Sequence, residues 1–369
     1  MEGFPLSALE LEPTSQLRRD QPRPQHLRQE TYESEFDFCT IFYDCFRSIN
    51  RRYVILIGPP LFNLASHVVP RIVSAFNITK PSLGTLRPLK LHDQIWLRTE
   101  TARAVLAPGL FRQDVIQVQP NRSRQFERRK VLLTKSKDND LVWIKDWVHF
   151  FAANHGTNAV LLYDNASTNY EPGKVQEVIS KVEGIDVACV VEWPFKFGPQ
   201  GGPHDIWDSD FCQYAILEHA RHRFLASAES VISADIDELV ITEDGGSLHD
   251  LVRGSRTGYL EYRGHWIENA SLAKDAIRRH AHFIFRSAVS DAPAEPKWTV
   301  MPQRCSAESQ WAIHYVTGME PDARSSSVST RHFKAINTNW RMQRWCSEEP
   351  DERTHVIDQE LVKWMRHIA

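Results

Sequence analysis

From Arg128 to Asp237 the sequence alternates short apolar runs with segments of helical periodicity. The apolar runs predict strands at 131–134, 160–163, 187–191 and 231–234. Helices are predicted between Asp140 and Gly156, at 172–182 and at about 210–226. Because single helices between strands require right-handed crossovers, the strands should form a largely parallel sheet covered on both faces. The predicted fold class is α/β, with a nucleotide-binding half.

The remaining segments have a different character. Residues 1–38 are rich in Pro, Gln, Arg and Glu and are predicted to be a mobile tail. Residues 39–127 are predicted to be an accessory region of unassigned role, with a buried strand at 53–57. Residues 128–369 are predicted to form one large domain. Its second half should be a mixed sheet that completes a cleft, built from strand-like pieces at 259–262, 282–285, 298–301 and 311–316.

Charge, cysteine content and hydropathy restrict the class of protein. The net charge of -3 argues against a nucleic-acid partner, since nucleic-acid-binding proteins usually carry a basic excess. The six cysteines include no CxxC pair, and we interpret them as reduced thiols. The N-terminus lacks the pattern of a signal peptide, and no stretch approaches the roughly 18 apolar residues of a transmembrane segment. These features predict a cytoplasmic protein.

Two acidic residues, Asp235 and Asp237, directly follow the last predicted strand of the nucleotide-binding half. If that strand continues through them, both carboxylates project from one face and converge on one ion. Paired carboxylates suit Mg²⁺ or Mn²⁺, which complete their coordination with water and phosphate oxygens. Open α/β sheets bind ligands beyond the carboxyl ends of their strands, where this pair should lie. The sequence therefore predicts Mn²⁺ or Mg²⁺ as the cofactor.

An ordered set of short motifs runs through the same half. The motifs are Asn139-Asp140, Ile144-Lys145-Asp146-Trp147, Tyr163-Asp164-Asn165-Ala166-Ser167, Gln213 and Asp235-Ile236-Asp237-Glu238-Leu239. The set resembles GT-A glycosyltransferases of the family 2 and family 92 type. Those enzymes typically read Lys-Asn-Glu, Leu-Lys-Glu-Trp, Tyr-Asp-Asn-x-Ser and Asp-x-Asp-Glu-Phe in this order. Asp138, Asp140 and Leu239 depart from that pattern.

The resemblance implies a GT-A fold and a reaction. A sugar would pass from a nucleotide-sugar, such as a UDP- or GDP-sugar, to a glycan or glycoconjugate acceptor, with inversion, as in polysaccharide biosynthesis. The implied donor-nucleotide residues are Asn139, Asp140, Asp164, Asn165, Gln213 and Asp235. Asn and Asp also favour turns and helix caps, so a purely structural role for the first four stays open.

The resemblance also suggests metal ligands and a catalytic base. The metal would be held by Asp235 and Asp237, with His314 or His332 added from late in the chain. An inverting transfer needs a carboxylate to accept the proton of the acceptor hydroxyl. Glu238, Glu261 and Glu268 are the candidates, and the sequence does not choose among them. Aromatic residues such as Trp266 are interpreted either as an acceptor platform or as core.

Two other classes of protein remain as alternatives. A haloacid-dehalogenase-like phosphohydrolase also has a strand ending in Asp-x-Asp, in which Asp235 would be the nucleophile and Asp237 the acid/base. That motif normally opens its domain, whereas here it follows three strand–helix units. A noncatalytic carbohydrate-binding protein is the second alternative, because a fold can persist without its activity.

Overall fold

The computed structural model describes residues 4–79, 84–273, 277–339, 343–346 and 348–366. The chain divides into two compact units. The large unit comprises residues 125–193 and 227–369, and the small unit comprises residues 2–124 and 194–226. No helix within the described residues is long and apolar enough to cross a membrane.

Strands and helices follow the chain in this order. The strands are β1 Leu9–Glu10, β2 Thr40–Phe42, β3 Asp44–Arg47, β4 Val54–Gly58, β5 Gly84–Leu89, β6 His92–Leu97, β7 Arg103–Val105, β8 Val115–Gln117, β9 Lys130–Ser136, β10 Ala159–Asp164, β11 Val187–Glu192, β12 Ser230–Ser233, β13 Glu238–Thr242, β14 Tyr259–Ile267, β15 Phe285–Ser287, β16 Pro293–Val300, β17 Val328–Phe333 and β18 His355–Ile357. The helices are α1 Tyr32–Glu35, α2 Ala65–Ala75, α3 Leu141–His155, α4 Pro172–Ser180, α5 Phe211–His219, α6 Leu248–Arg253 and α7 Gln359–Met365.

The large unit is built on an eight-stranded sheet with the order β11-β10-β9-β12-β16-β14-β17-β13. Strands β11, β10, β9 and β12 are mutually parallel, as the alternation of strands and helices predicts. Helix α3 begins after Asp140 and ends at Gly156, whose φ of 68° lies in the left-handed region that favours glycine. The apolar residues of α3 pack with those of the central strands in one core.

The other half of the sheet is mixed, as predicted. Strand β16 runs antiparallel to both β12 and β14, and β17 pairs parallel with β14 and antiparallel with β13. The segment predicted as a strand at 311–316 has only an isolated bridge between Trp311 and Val316. Trp311, Ala312 and Val316 are buried but do not join the sheet. Buried apolar residues outside a sheet can give the same sequence pattern as a buried strand, which explains the wrong prediction.

Strand β14 shifts its register with β16 between Tyr262 and Gly264, and from Gly264 onward it also pairs with β17. A Cβ atom at Gly264 would lie 1.8 Å from the carbonyl oxygen of Thr330 in β17.

We therefore expect Gly264→Ala to force β14 and β17 apart and to lower the free energy of unfolding by about 3 kcal/mol. Urea unfolding measures this, with Gly254→Ala as the control, because the nearest atom to a Cβ there is 3.5 Å away. Equal stability of the two variants would contradict the tight β14–β17 contact.

His155, at the end of α3, is a buried neutral histidine. Its Nε2 donates to the carbonyl of Val240 at 2.8 Å, and its Nδ1 accepts from the amide of Leu248. Burial lowers the pKa of this imidazole to about 4. As pH falls below the ordinary histidine pKa, the unfolded chain takes up a proton that the native state does not, so acid favours unfolding.

The stability of the wild type should therefore fall relative to His155→Gln as the solution is acidified. Between pH 8 and pH 5 this residue should remove about 2 kcal/mol from the free energy of unfolding. The measurement is urea unfolding of both proteins at the two pH values. A stability difference between them that does not change with pH would contradict a neutral His155 in the native state.

The small unit contains an antiparallel sheet of order β3-β4-β6-β5 and two-stranded pairs β1-β2 and β7-β8. Strand β4 coincides with the run predicted at 53–57. Helix α5 continues into a π-helical turn at Ala220–Phe224, so the helix predicted at about 210–226 is interrupted. Within this unit the buried carboxylate of Asp44 accepts hydrogen bonds from His219 and Arg223.

The boundaries of the two units differ from those predicted. Residues of the predicted mobile tail at 1–38 contribute to the small unit, where Leu9 and Leu11 are buried in its core. The guanidinium of Arg19 is also buried and donates to the carbonyls of Asp37, Thr40 and Pro60. The segment 194–226 returns to the small unit, so the predicted domain at 128–369 is not continuous.

Candidate active site

The acidic residues Asp235 and Asp237 lie in a turn rather than on a strand. Strand β12 ends at Ser233 and β13 begins at Glu238. The turn is closed from both sides, because the amide of Glu238 donates to the carbonyl of Asp235 and the Glu238 carboxylate accepts from the amide of Asp235 at 2.8 Å. The turn therefore presents the two aspartates at the carboxyl end of β12. The prediction that the strand continues through Asp235 and Asp237 is wrong.

Asp235 is held by two lysines from the strands on either side of β12. Lys135 of β9 donates to one carboxylate oxygen at 2.6 Å, and Lys297 of β16 donates to the other at 2.5 Å. Burial alone would raise the pKa of Asp235, but the two ammonium groups outweigh it and hold the pKa well below its ordinary value. Asp235 is therefore ionised and paired.

Asp237 faces a histidine and an arginine. Its Oδ2 lies 3.1 Å from Nε2 of His332 and 3.3 Å from Nη1 of Arg344. Nη1 of Arg344 is also 3.1 Å from Nε2 of His332, so the guanidinium contacts both groups. The ring of His332 stacks on Trp266 with 4.1 Å between centroids. Burial would raise the pKa of Asp237, but His332 and the other basic neighbours lower it.

Glu238 is a buried carboxylate behind this pair. Lys297 lies 3.1 Å from it, and Nδ1 of His332 lies 3.6 Å away. Burial raises the pKa of Glu238 despite the ammonium of Lys297. The pKa of Lys297 is raised because Asp235 and Glu238 outweigh its own burial. Three carboxylates thus face the three permanent cations Lys135, Lys297 and Arg344.

The residues of the large unit that are predicted to bind the donor nucleotide lie at or after the ends of β9 and β10. Asp164 is buried and accepts from the amide and hydroxyl of Ser167, and burial raises its pKa. Asn165 donates to the carbonyl of Trp193 at 2.8 Å, and Asn139 donates to the hydroxyl of Ser136 at 2.9 Å. Asp140 is exposed and precedes α3 without a side-chain cap hydrogen bond.

These strand ends meet at one edge of the sheet, because β10, β9 and β12 are adjacent and parallel. Lys137 joins two of the loops by donating to the carbonyls of Asn165 and Ala166. Gln213 is different: it lies in the small unit, buried on α5, and donates to Asp210 at 2.5 Å.

The two histidines predicted as ligands have different surroundings. His332 contacts Asp237, as described. The charges of Lys297 and Asp235 both influence the pKa of His314. The Nδ1 atom of His314 lies 3.0 Å from the carbonyl oxygen of Pro296. Burial and then Lys297 lower the pKa of His314 to about 4, so it is neutral at pH 7. Its Nδ1 carries the proton donated to Pro296, which leaves Nε2 as an acceptor.

The three candidate bases have separate surroundings. Glu238 is enclosed by the turn. Glu261 accepts from the hydroxyl of Tyr259 at 2.5 Å, and its cross-strand partner is Trp298 rather than Lys297. Because side chains alternate along a strand, Glu261 lies on the face of the sheet opposite Lys297. Glu268 follows β14 and accepts from Lys334 at 2.5 Å.

Two contact residues were not anticipated from the sequence. Lys135 stands near the end of β9, after the buried apolar run 131–133, where a lysine signals a nearby carboxylate partner. Arg344 lies in an irregular segment that carries no comparable signal. Arg331, which neighbours His332, faces the other way and binds Asp358.

Comparison with models of known protein families shows which family the chain belongs to. Residues 137–366, more than half of the chain, match the model of Glycosyltransferase family 92. The chain belongs to that family. No curated protein matches the chain.

Among solved structures, the chain is similar to the apo structure of the WbbM bifunctional glycosyltransferase, with 12% sequence identity and a TM-score of 0.25. The similarity covers 38% of this chain and 23% of that chain. The chain therefore spans less than a quarter of the length of that protein.

Proposed function

We propose that the protein transfers a sugar from a UDP- or GDP-sugar to a glycan or glycoconjugate acceptor, with inversion at the anomeric carbon and in a GT-A arrangement. The observation that carries the proposal is the acidic turn of Asp235 and Asp237, which follows the last of four parallel strands in a family 92 chain. Ligands of open α/β sheets bind beyond this edge. The loops of Asn139 and Asp164 flank the turn and are the proposed nucleotide contacts.

The residues around Asp237 suit Mn²⁺ or Mg²⁺. Its Oδ2 and Nε2 of His332 are 3.1 Å apart, and carboxylate and imidazole are both ligands of Mn²⁺. No group of three or more His, Cys, Asp or Glu side chains in the described parts of the chain is arranged to hold a metal. Such ions commonly take one or two carboxylates and complete their shell with phosphate and water. When bound, the ion would supply positive charge to the departing diphosphate.

The proposal also assigns roles to three basic side chains of the protein, Lys135, Lys297 and Arg344. Lys135 is partly exposed, so its ammonium, which has three donors, can donate to a phosphate oxygen while it stays paired with Asp235. Lys297 is 3% exposed and holds Asp235 and Glu238 in place. Arg344 contacts both proposed ligands, Asp237 and His332, and must move aside for an ion to bind.

Glu268 is the best placed of the three candidate bases, because it lines a cavity together with Trp266. In the proposed transfer, the acceptor hydroxyl oxygen forms a bond to the anomeric carbon while the bond from that carbon to the diphosphate oxygen breaks. The hydroxyl proton passes to the Glu268 carboxylate, and the nucleoside diphosphate leaves as an anion. Lys334 holds the carboxylate in position.

The phosphohydrolase alternative is weakened by the contacts of Asp235. A nucleophilic carboxylate needs a free oxygen, and both oxygens of Asp235 accept from lysines. Family membership also favours glycosyl transfer.

The function is tested by measuring nucleoside diphosphate release from a panel of nucleotide-sugars with Mn²⁺. We expect release from at least one UDP- or GDP-sugar, and a loss of about a hundredfold or more in Asp235→Asn. Asp186→Asn, a change at an exposed carboxylate paired with Arg129, is the control. Phosphate release from a monoester would instead support the phosphohydrolase, and glycan binding without any turnover would support the noncatalytic protein.

A further inference from the structure

The large unit contains a cavity of about 400 Å³. This volume falls within the range of about 300–1,000 Å³ that is typical of small-molecule sites. The cavity is formed around the end of β14, strand β15 and the segment that precedes β18. Its lining includes Trp266, Glu268, Arg286, Asp291, Lys334 and Glu348.

Trp266 links this cavity to Asp237 through His332. In the parallel pairing of β14 with β17, Trp266 lies opposite His332, and their rings stack with an interplanar angle of 21°. His332 in turn contacts Asp237. The cavity and the proposed donor site therefore share the Trp266–His332 pair.

The charged side chains of the cavity each lie beside an acidic or basic side chain. Glu268 pairs with Lys334 at 2.5 Å, Asp291 lies 3.3 Å from His265, and Glu348 lies 3.5 Å from His355. Arg286 faces the buried carboxylate of Asp358. The two permanent cations of this lining, Lys334 and Arg286, each have a carboxylate neighbour, whereas Asp291 and Glu348 have only histidine neighbours. The cavity therefore favours a neutral ligand over an anionic one.

Paired charges still hydrogen-bond well to hydroxyl groups, which donate to carboxylates and accept from ammonium groups. A pyranose ring combines several hydroxyls with an apolar C–H face, and that face complements an aromatic wall. A neutral sugar therefore fits this combination of groups better than a uronic or sialic acid, whose carboxylate would lie beside Glu268 or Asp291.

We propose that the cavity binds the acceptor as a neutral pyranose, which stacks on Trp266 and hydrogen-bonds to the Glu268–Lys334 pair. The proposal rests on the proposed function, because it places the acceptor of that same reaction. A ring held against Trp266 would have a hydroxyl near Glu268, the proposed base, because both residues line the cavity. Such positioning lowers the entropic cost of bringing acceptor and donor together.

The test uses the full chain labelled with 5-fluorotryptophan. The ¹⁹F resonance of Trp266 is assigned by its disappearance in Trp266→Phe. Methyl β-galactoside, methyl β-glucoside and methyl β-N-acetylglucosaminide are then titrated, with methyl β-glucuronide as the charged probe. We expect at least one neutral glycoside to shift the Trp266 resonance, and to bind about tenfold more weakly in Glu268→Gln, a near-isosteric change that keeps the fold.

Trp207→Ala is the matched control, because Trp207 is a partly exposed tryptophan of the small unit, and this variant should bind the glycoside like the wild type. Preferential binding of the glucuronide would overturn the neutral class. If nucleotide-sugars bind or turn over but no glycoside moves the Trp266 resonance, the acceptor site is wrong and the proposed function stands. If no nucleotide-sugar binds or turns over while a glycoside shifts Trp266, the transferase proposal fails and the cavity is a saccharide site.

Discussion

Replacing Lys297 with Met is expected to lower the free energy of unfolding by about 3–5 kcal/mol, the typical cost of breaking a buried ion pair by removing one partner. Lys297 is 3% exposed and contacts both Asp235 and Glu238. Met has a similar volume, so little of the effect should come from a cavity. The variant leaves Glu238 buried without its cation, and Asp235 with Lys135 alone.

Urea unfolding at pH 7 measures this effect, with Lys363→Met as the control. Lys363 also pairs with a glutamate, but both side chains are more than half exposed, so its loss should cost about 0–1 kcal/mol. If Lys297→Met and Lys363→Met are equally stable, the cluster of three carboxylates does not depend on Lys297.

Replacing Asp237 with Asn is expected to weaken Mn²⁺ binding by about a hundredfold. The change removes the proposed charged ligand and leaves a neutral amide next to His332, and oxygen ligands of this ion bind best when they carry charge. The decrease of the free Mn²⁺ signal in electron paramagnetic resonance measures binding without requiring any activity. Asp186→Asn serves again as the control.

Arg344→Gln should change the same signal in the opposite direction. The guanidinium lies within 3.3 Å of both proposed ligands, so removing it eliminates a competing cation and should tighten Mn²⁺ binding. Unchanged Mn²⁺ affinity in both variants would show that the ion does not bind between Asp237 and His332.

The core elements of the large unit could be predicted from the sequence because their signal is local. The predicted strands at 131–134, 160–163 and 187–191 lie within β9, β10 and β11, and the helix after Asp140 is α3. These strands are buried and apolar, and the helix carries its own start and stop residues.

The division into units could not be predicted, because it depends on contacts between distant segments. Charged residues such as Arg19 and Arg23 led to the prediction that residues 1–38 form a solvated tail. Both of these side chains are in fact buried. Carbonyl groups and Asp208 satisfy their hydrogen bonds. No local pattern indicated that 194–226 would join this N-terminal segment in the small unit.

The acidic turn could be predicted from the sequence because Asp235, Asp237 and Glu238 lie close together directly after a buried strand. Its partners were harder to predict, since Lys135, Lys297 and Arg344 come from segments far apart in the sequence. The choice among the glutamates also required the sheet. Cross-strand pairing with Trp298 places Glu261 on the other face, whereas Glu268 reaches the cavity beyond the irregularity at Gly264.

The central claim, that the acidic turn binds the diphosphate of a nucleotide-sugar, is tested most directly by isothermal titration calorimetry. UDP and GDP are titrated into the wild type and into Asp237→Asn, each with and without Mn²⁺. We expect one nucleotide to bind the wild type about tenfold or more tightly with Mn²⁺ than without it, and this gain to vanish in the variant. Affinities for UDP and GDP that are the same with and without Mn²⁺, and the same in both proteins, would contradict the claim.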